Sequence, residues 1–465
     1  MKADYPLLVI GAGPAGMAAA QTAASYGVEV AVVDQQAQPG GQIYRNVDSG
    51  PLNDLSILGA DYTFGKPLVQ AFRRARLAYH AATSVWYLDK NRQLGILKQG
   101  ENFRLGAHKI IIASGAQERP IPVPGWQLPG VMTAGAGQIL LKSAGLVPRD
   151  GVVLAGNGAL LLMIAWQYLQ AGVGIRALLD TTPRGALFKA LHHVPKALGA
   201  SEYLWKGLCL MASIRRAGVP IHKAVSDLRA IGDGSLQAVS FSAAGKAHRI
   251  ETELLLLHQG IIPALQITQA AACDLRWNEA QQCWQPVLDA WGESSQAGIF
   301  VAGDGAAING ARAASLDGQL AGLQVAHQLG FVTAAERDRL AQPLRKAVAR
   351  ERSIRPFLDA CYPLADALLA PPDSTLVCRC EEVDAAEIRA VIGLGCVGPN
   401  QAKAFLRCGM GPCQGRFCGS TVEQIFAHER GASVSDIGRF NARPPLQPIT
   451  LGQLAQNQDR LSPSK

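Results

Sequence analysis

Six of the ten cysteines in this 465-residue sequence lie near its end, and four of them form two close pairs that suit a metal centre. Cys378 and Cys380 form a Cys-x-Cys pair, and Cys413 and Cys418 form a second pair further along the chain. Four thiolates are the ligand set of a [2Fe–2S] cluster, and they also suit a tetrahedral zinc ion. The Cys-x-Cys spacing is tighter than the spacing usual in zinc ribbons. The pattern therefore favours an iron–sulfur cluster over zinc or free thiols.

A glycine motif near the start of the chain has the spacing of a dinucleotide site. Gly11, Gly13 and Gly16 follow a short apolar run, and Asp34 closes the next apolar run. We predict a buried strand, a glycine turn, a helix and a second strand here. Gly11 would permit the tight turn, Gly13 would let the backbone approach a pyrophosphate, and Gly16 would let helix and strand pack closely. The helix N-terminus would face the phosphates, and Asp34 could accept hydrogen bonds from ribose hydroxyls.

Three further segments resemble the flavin signatures of the two-dinucleotide-domain flavoproteins. Residues 303–304 are Gly-Asp at the end of an apolar run, as in the family's second signature, whose aspartate holds the ribityl chain. Residues 40–45 resemble the family's loop beneath the flavin, and residues 113–115 resemble its Ala-Thr-Gly motif. The resemblance implies that the first nucleotide is FAD. The FAD-binding residues that it implies are Gly11, Gly13, Pro14, Ala15, Gly16, Asp34, Gln35, Gly41, Gln42, Arg45, Ala113, Ser114, Gly115, Gly303, Asp304 and Ala311.

An imperfect copy of the first nucleotide unit begins at residue 151. Gly156 and Gly158 follow another apolar run, and Asp180 occupies the position that corresponds to the acid of the first unit. Leu161 stands where the third glycine of the motif belongs, so we expect it to push the helix off the strand and to narrow the phosphate approach. Three interpretations stay open for this second site: an NAD(P)H site, a site for a non-redox adenine nucleotide such as ATP or AMP, and an empty structural relic.

The length leaves room for two or three domains in a well-packed chain. Apolar residues make up 48% of the sequence and charged residues 17%, which excludes a disordered chain. We predict an α/β fold with two interleaved dinucleotide-binding domains and a small helical [2Fe–2S] domain. The predicted ranges are a FAD-binding domain in two parts (1–150 and 258–330), a second nucleotide-binding domain (151–257), a helical linker (331–375), a [2Fe–2S] domain (376–432) and an extended tail (433–465).

The net charge of +8, from 44 basic and 36 acidic residues, bears on partners and location. No basic run with interleaved aromatic residues occurs, so nucleic acid is not expected as a partner. An acidic protein or an anionic membrane surface fits the charge equally well. We expect no signal peptide, no transmembrane helix and no disulfide framework. The expected location is the cytoplasm, with association with the inner face of the membrane as an option.

The cysteine segment resembles the bacterioferritin-associated-ferredoxin-like (BFD-like) [2Fe–2S] domain, a small helical unit with two cysteine-bearing loops. We expect helices over 383–395 and 399–406, between the two loops. The cluster ligands that the resemblance implies are Cys378, Cys380, Cys413 and Cys418. Cys396 and Cys408 break the family's spacing, so we predict that they are packing residues.

Over nearly the whole chain, the motifs resemble the FAD-binding subunit of heteromeric bacterial amino-acid and opine dehydrogenases. This family includes the A subunit of opine oxidase, the α subunits of D-hydroxyproline and proline dehydrogenases and the B subunit of hydrogen cyanide synthase. The segments that carry the resemblance are 40–45, 116–120, 258–260, 302–305 and 378–418. It implies a partner flavoprotein, resembling D-amino-acid or sarcosine oxidase, that takes hydride from the amine, while this chain passes the electrons onward. A small iron–sulfur subunit could complete the complex.

Two features that the sequence lacks also favour an electron-transfer role. No redox cysteine pair lies near residues 40–50, where disulfide reductases of the superfamily carry theirs, and we identify no acid/base pair for amine oxidation. The catalytic residues are therefore unknown. Two rivals stay open: a stand-alone NAD(P)H-dependent FAD/iron–sulfur reductase, and a non-catalytic scaffold. The prolines at 444 and 445 predict an extended tail, which we expect to lie on a neighbouring subunit.

Overall fold

The computed structural model describes residues 4–149 and 151–456. The elements before residue 150 are β1 (Asp4–Ile10), α1 (Pro14–Ser25), β2 (Val30–Val33), α2 (Ala60–Thr63), α3 (Lys66–Arg74), β3 (Ala78–His80), β4 (Thr83–Leu88), β5 (Gln93–Lys98), β6 (Glu101–Ile112), β7 (Ala116–Glu118), β8 (Val131–Thr133) and α4 (Ala134–Ala144).

The middle of the chain contains the second nucleotide unit and the return to the first. Its elements are β9 (Val152–Asn157), α5 (Ala159–Gln170), β10 (Ile175–Asp180), α6 (Ala186–Ala190), α7 (Val194–Ala197), α8 (Ser201–Arg216), β11 (Ile221–Lys223), β12 (Ser226–Ile231), β13 (Ala238–Ala243), β14 (Lys246–Glu251), β15 (Leu255–Gln259), β16 (Ile261–Pro263), α9 (Gln266–Ala270), β17 (Leu275–Asn278), β18 (Cys283–Pro286) and β19 (Ile299–Val301).

The last part is mainly helical. Its elements are α10 (Ala311–Gln328), α11 (Ala334–Arg352), α12 (Arg355–Cys361), α13 (Asp366–Leu369), β20 (Leu376–Cys378), β21 (Val383–Asp384), α14 (Ala385–Gly393), α15 (Pro399–Leu406), α16 (Gly419–Arg430), α17 (Val434–Ile437) and α18 (Leu451–Ala455). The helices predicted between the two cysteine loops are confirmed as α14 and α15.

The first sheet has the strand order β3-β2-β1-β6-β5-β4, with β19 beside β6. β1, β2, β3, β19 and β6 run parallel, so the carboxyl ends of β1, β6 and β19 meet at one edge. Helices α1 and α10 lie against each other very closely: a Cβ on Gly318 of α10 would be 2.1 Å from the carbonyl oxygen of Ala15. Only glycine allows this approach, and it fixes α1 above the edge where the nucleotide motif lies.

The second sheet has the order β11-β10-β9-β15-β8, and all of its strands are parallel. Strand β8 comes before residue 151 and β15 crosses residue 257. The second sheet therefore draws on residues on both sides of the predicted range 151–257, because β8 adds to its edge and β15 lies in its interior. The domain ranges themselves stay predictions.

The tail after residue 432 packs on its own chain. Phe440 is buried in the core of the cysteine-bearing domain, and Leu446 is fully buried. The backbone N–H of Leu446 donates to the carbonyl oxygen of Trp86 at 2.8 Å, and Arg416 donates to the carbonyl oxygen of Leu446 at 2.9 Å. The prediction that this segment lies on another subunit is therefore wrong for residues 440–446, whose apolar side chains find cover within the chain. Beyond these residues, Gln447 donates to Gln35 and α18 contacts β6 of the same chain, and residues 457–465 lie outside the described residues.

Candidate functional site

The glycine turn after β1 is shaped by two close contacts and one open side. A Cβ on Gly11 would be 2.4 Å from the carbonyl oxygen of Ala113, and a Cβ on Gly16 would be 1.8 Å from the carbonyl oxygen of Gly11. Gly13 differs, because its nearest neighbour for an added Cβ is the Cα of Gly41, at 3.8 Å. Gly11 and Gly16 thus bring helix and strands together, and Gly13 keeps space beside its backbone for a ligand.

The N-terminus of α1 suits an anionic ligand. Gly13 is the N-cap residue and provides no side-chain hydrogen bond, Pro14 is the first helical residue, and no acidic side chain lies in the first turn. The N–H groups of the first helical turn have no partners within the helix, and the helix dipole makes this end positive. The turn therefore fits the pyrophosphate of a dinucleotide.

Asp34 lies at the end of β2 and is buried. Its Oδ2 accepts a hydrogen bond from the N–H of Ala12 at 2.5 Å, and its Oδ1 accepts one from the N–H of Gln36 at 2.6 Å. Burial raises the pKa of Asp34, while these two bonds and Arg45 oppose the rise. Each carboxylate oxygen keeps a second lone pair, so ribose hydroxyls could still donate to it. The neighbouring Gln35 accepts from Gln447 of the tail at 3.3 Å.

The loop 40–45 is held against the glycine turn. The N–H of Gly40 donates to the carbonyl oxygen of Ala12 at 2.8 Å, and Arg45 donates to Oε1 of Gln42 at 2.8 Å. Lys142 of α4 also holds the loop, although it was not predicted from the sequence. Its Nζ donates to the carbonyl oxygens of residues 42 and 43 at 3.1 Å each. Burial lowers the pKa of Lys142 to about 7, with a further lowering from Arg45. The only feature of the sequence that pointed to this role of Lys142 was the presence of a lysine in a mostly apolar helix.

The ends of β6 and β19 complete the site from the other side. A Cβ on Gly303 would be 2.7 Å from the Cβ of Ala15, so this turn touches α1 directly. The hydroxyl of Ser114 donates to the carbonyl oxygen of Ala264 at 2.8 Å. Gly115 follows it, at the turn into β7. The structure thus brings segments 11–16, 40–45, 113–115 and 303–304 to one edge of the first sheet.

Asp304 is held at the N-terminus of α10. Its Oδ1 accepts hydrogen bonds from the N–H groups of Asn309 and Gly310 at 3.0 Å each. Burial raises the pKa of Asp304, and these two bonds oppose the rise. Oδ2 of the same carboxylate could accept from a hydroxyl, and Ala311 begins the helix beside it. A carboxylate and a helix N-terminus at this position fit the ribityl chain and the ring of a flavin.

In the second unit, the structure brings Gly156, Gly158 and the end of β10 to the corresponding edge. A Cβ on Gly156 would be 1.6 Å from the carbonyl oxygen of His258, so only glycine fits there. Leu161 is buried in the main core. Asp180 accepts a hydrogen bond from the N–H of Thr182 at 2.9 Å.

The linker lies against this second site, a contact that was not predicted from the sequence. The side-chain amide of Asn157, which stands between the two glycines, donates to the carbonyl oxygen of Pro363 at 2.9 Å. Burial raises the pKa of Tyr362 to about 12, and Cys361 and Asp180 also act to raise it. The segment between α12 and α13 therefore adjoins both the glycine turn and the acid of the second unit.

A buried histidine and a glutamate join the two nucleotide units. Nδ1 of His258, on β15, lies 2.7 Å from Oε1 of Glu118 on β7. Oε2 of Glu118 accepts from the N–H of Gly135 at 2.9 Å. The motifs around residues 118 and 258 are separate in the sequence, and only the fold pairs them.

Five of the late cysteines lie near one another in the small domain. The sulfur atoms of Cys378, Cys408 and Cys418 lie within 4.8 Å of one another, and all three are buried. Burial raises the pKa of Cys380, and the neighbouring Cys413 thiol also acts to raise it. Cys408, which we predicted to be a packing residue, thus lies among the four predicted ligands.

Cys396 lies apart from this group. Its sulfur donates to the carbonyl oxygen of Gly398 at 3.6 Å, and the side chain is buried in the core of the small domain.

The surroundings of the sulfur atoms fit an iron–sulfur cluster. Cys408 and then Cys418 lower the pKa of Cys378 to about 2 through thiol hydrogen bonds, and the backbone N–H groups of Gly409 and Glu381 lower it further. The N–H of Cys413 likewise donates to the sulfur of Cys380. Backbone donors to thiolate sulfur stabilise the negative charge that such clusters bring.

The cysteine-bearing loop touches the flavin side of the molecule. Nε2 of Gln117 donates to the carbonyl oxygen of Arg416 at 3.0 Å. Gln117 follows Gly115 closely in the chain, and Arg416 lies between Cys413 and Cys418. A cavity of about 60 Å³ lies at this junction.

Glu423 of α16 is a buried acid on the wall of this cavity. Its Oε2 accepts from the indole of Trp284 at 3.1 Å. Burial raises the pKa of Glu423 to about 7, although Arg439 opposes the rise. Arg439 donates to Gln269 at 3.0 Å, while its Nε and Nη1 have no partner among the described residues.

Across the described ranges 4–149 and 151–456, none of the helices combines the length and the apolar character that crossing a membrane requires.

Comparison with known proteins identifies the two parts of the chain. Residues 5–330 match the family described as pyridine nucleotide-disulphide oxidoreductase, and residues 376–428 match the BFD-like [2Fe-2S] binding domain. The chain is thus an oxidoreductase with FAD in the first part and a [2Fe–2S] cluster in the second.

Similar proteins cover nearly the whole chain. The A subunit of opine oxidase from Rhizobium meliloti is 42% identical over 98% of this chain and 88% of that protein. The HcnB subunit of hydrogen cyanide synthase from Pseudomonas aeruginosa is 29% identical over 95% of this chain and 96% of that protein. Relatives of this kind are subunits of multi-subunit oxidases, which implies partner subunits for this chain.

A solved structure shows the same fold. The L-proline dehydrogenase from P. horikoshii has a TM-score of 0.71 at 19% identity, over 97% of this chain and 79% of that one. The predicted α/β fold with a small [2Fe–2S] domain is confirmed. The chain belongs to the pyridine nucleotide-disulphide oxidoreductase family and, within it, to the family of the opine oxidase A subunits.

Proposed function

We propose that the chain is the FAD- and [2Fe–2S]-containing electron-transfer subunit of a heteromeric amino-acid, opine or imino-acid dehydrogenase. The contact between Gln117 and Arg416, at 3.0 Å, is the observation that carries the proposal. It joins strand β7, which follows Gly115, to the loop that bears Cys413, and this contact supports a path from the flavin side to the thiols. FAD accepts two electrons together and the cluster takes them one at a time, which suits electron flow from FAD to the cluster.

The amine itself is oxidised on another chain in this proposal. The partner is a second flavoprotein subunit that resembles D-amino-acid or sarcosine oxidase, and a small iron–sulfur subunit could join it. Relatives named as the A subunit of opine oxidase and the alpha subunit of sarcosine oxidase support a multi-subunit complex. We place the complex in the cytoplasm, with association with the inner face of the membrane as an option.

For the second nucleotide site we propose an adenine nucleotide that takes no part in the redox chemistry. Asp180 can accept from a ribose, but Asn157 is tied to Pro363 of the linker. The linker segment therefore occupies space next to the glycine turn, which narrows the approach for a nicotinamide. This arrangement disfavours the rival of a stand-alone NAD(P)H-dependent reductase.

The test is dye-linked dehydrogenase activity with and without the partner. The chain alone, and the chain co-expressed with the flavoprotein subunit, are assayed with D-amino acids, proline, hydroxyproline, glycine and opines. We expect turnover only by the complex, and none by a complex that contains Gly13→Trp, because an indole would fill the space beside Gly13. Robust turnover by the isolated chain would contradict the proposal.

A further inference from the structure

The helical segment between β10 and β11 turns its large apolar side chains outward. Phe188 is 81% exposed and Trp205 is 70% exposed. We call the exposed set the apolar helical face; it consists of Leu187, Phe188, Leu191, Leu198, Trp205 and Leu208. Large apolar side chains exposed this densely are unusual for a surface that meets only water.

The packing of small residues fixes this outward orientation. Ala190 of α6, Ala197 of α7 and Ala200 are fully buried, and the latter two form a small core with Ile354. In α8, Leu210 and Ile214 enter the main core. The segment thus uses alanines on its inner side, and rotation of these helices to bury the large residues would break packing that is already complete.

Basic residues outnumber acidic ones in the segment that carries the apolar helical face. Residues 184–216 contain six Lys or Arg and one Glu, a net charge of +5 out of +8 for the whole chain. Lys189 and Lys196 are exposed and stand between the apolar positions. The one acid, Glu202, is paired with Arg350 at 2.9 Å.

We infer that the apolar helical face binds an anionic membrane surface. Short helices that combine exposed Trp, Phe and Leu with Lys and Arg lie in the interface of anionic bilayers. Lysine is depleted from protein–protein interfaces, whereas here Lys189 and Lys196 lie within the face. Each basic residue near a negative leaflet strengthens binding, and the effect depends on salt. This inference rests on the surface alone and does not depend on the proposed redox role.

Vesicle binding by the holoprotein tests the inference. Sedimentation with phosphatidylcholine vesicles that contain phosphatidylglycerol is compared with sedimentation with phosphatidylcholine alone. The test variant is Phe188→Ser/Trp205→Ser/Leu208→Ser, and a charge variant is Lys189→Glu/Lys196→Glu. The matched control is Leu394→Ser/Val397→Ser/Leu454→Ser, which removes exposed apolar side chains elsewhere. Retained flavin and cluster absorbance shows that each variant is folded.

We expect anionic vesicles to bind wild type at least about tenfold more tightly than neutral vesicles. Both test variants should lose at least about tenfold in affinity, and the control should lose none. All seven tryptophans lie in described residues, and of these only Trp205 belongs to the exposed large apolar residues. Its fluorescence should shift to the blue on binding and should be quenched by brominated lipid.

Three results would overturn the inference. Wild type could fail to sediment with anionic vesicles, or the Phe188/Trp205/Leu208 variant could bind them as wild type does. In the third case, that variant would lose the partner subunit in co-purification but keep vesicle binding, which would show that the face is a protein interface. Any of these three results would leave the proposed function standing, because the dehydrogenase assay that tests it needs no membrane.

Discussion

Replacement by alanine should have different effects at two glycines of the first motif: it should lower stability at Gly16 and FAD affinity at Gly13. In Gly16→Ala the new Cβ would lie 1.8 Å from the carbonyl oxygen of Gly11, and ordinary contact needs about 3.4 Å or more. Helix α1 would have to move about 1.5 Å away from β1, but Gly318 of α10 already lies against it. Overpacking of this kind costs about 3 kcal/mol. At about 2–4 °C per kcal/mol, we expect the melting temperature to fall by about 6–12 °C.

In Gly13→Ala the nearest atom to the new Cβ is the Cα of Gly41, at 3.8 Å, so the fold should accept it. The loss of a glycine N-cap costs at most about 1 kcal/mol. The methyl group would instead stand beside the pyrophosphate, and we expect FAD affinity to fall at least about tenfold.

The assay for both variants is the melting temperature of the apoproteins and the Kd for FAD by fluorescence titration. A wild-type Kd in Gly13→Ala would show that the cofactor does not approach this backbone. An unchanged melting temperature in Gly16→Ala would refute the steric argument.

Three further predictions concern the cluster, the buried acid and the second nucleotide site. Cys380→Ser should abolish the iron–sulfur EPR signal and Cys408→Ser should retain it, with iron and sulfide near two each per chain in wild type; loss of the signal in Cys408→Ser would make Cys408 a ligand. Because the pKa of Glu423 is raised from 4.5 to about 7, its contribution to stability is complete below the unfolded-state pKa and is lost as the pH rises through 7. Wild type should therefore lose up to about 3 kcal/mol between about pH 5 and about pH 8, and Glu423→Gln should lose little; parallel pH–stability curves would contradict this. NADH should not bleach the flavin within seconds, and mass spectrometry of released ligand should find no stoichiometric NADP; the opposite result in either measurement would restore the reductase interpretation.

The motifs that depend on local spacing were predictable from the sequence. Gly11, Gly13 and Gly16 predict a strand, turn and helix because the turn itself needs glycine, and the structure has β1 and α1 there. The helices between the cysteine loops were predictable for the same reason, since their apolar periodicity is local.

Contacts between distant segments were not predictable. Lys142 reaches the loop at 42–43 from another part of the chain, and Asn157 reaches Pro363 from further still. Nothing in a local pattern encodes such pairs. The sulfur of Cys408 lies within 4.8 Å of the sulfurs of Cys378 and Cys418, a closeness that the spacing alone did not indicate, and whether it is a ligand stays a prediction. The tail was misjudged on its prolines, because one leucine, Leu446, finds a buried site on β4.

The central claim is that electrons pass from the FAD of this chain to its cluster. The most direct measurement mixes the complex with its amine substrate anaerobically and follows flavin absorbance and the EPR signal of the reduced cluster in the same samples. We expect flavin bleaching and cluster reduction in the wild-type complex, and an oxidised cluster in the complex that contains Gly13→Trp. Equal cluster reduction without FAD in this chain, or an oxidised cluster during continued dye-linked turnover, would contradict the account.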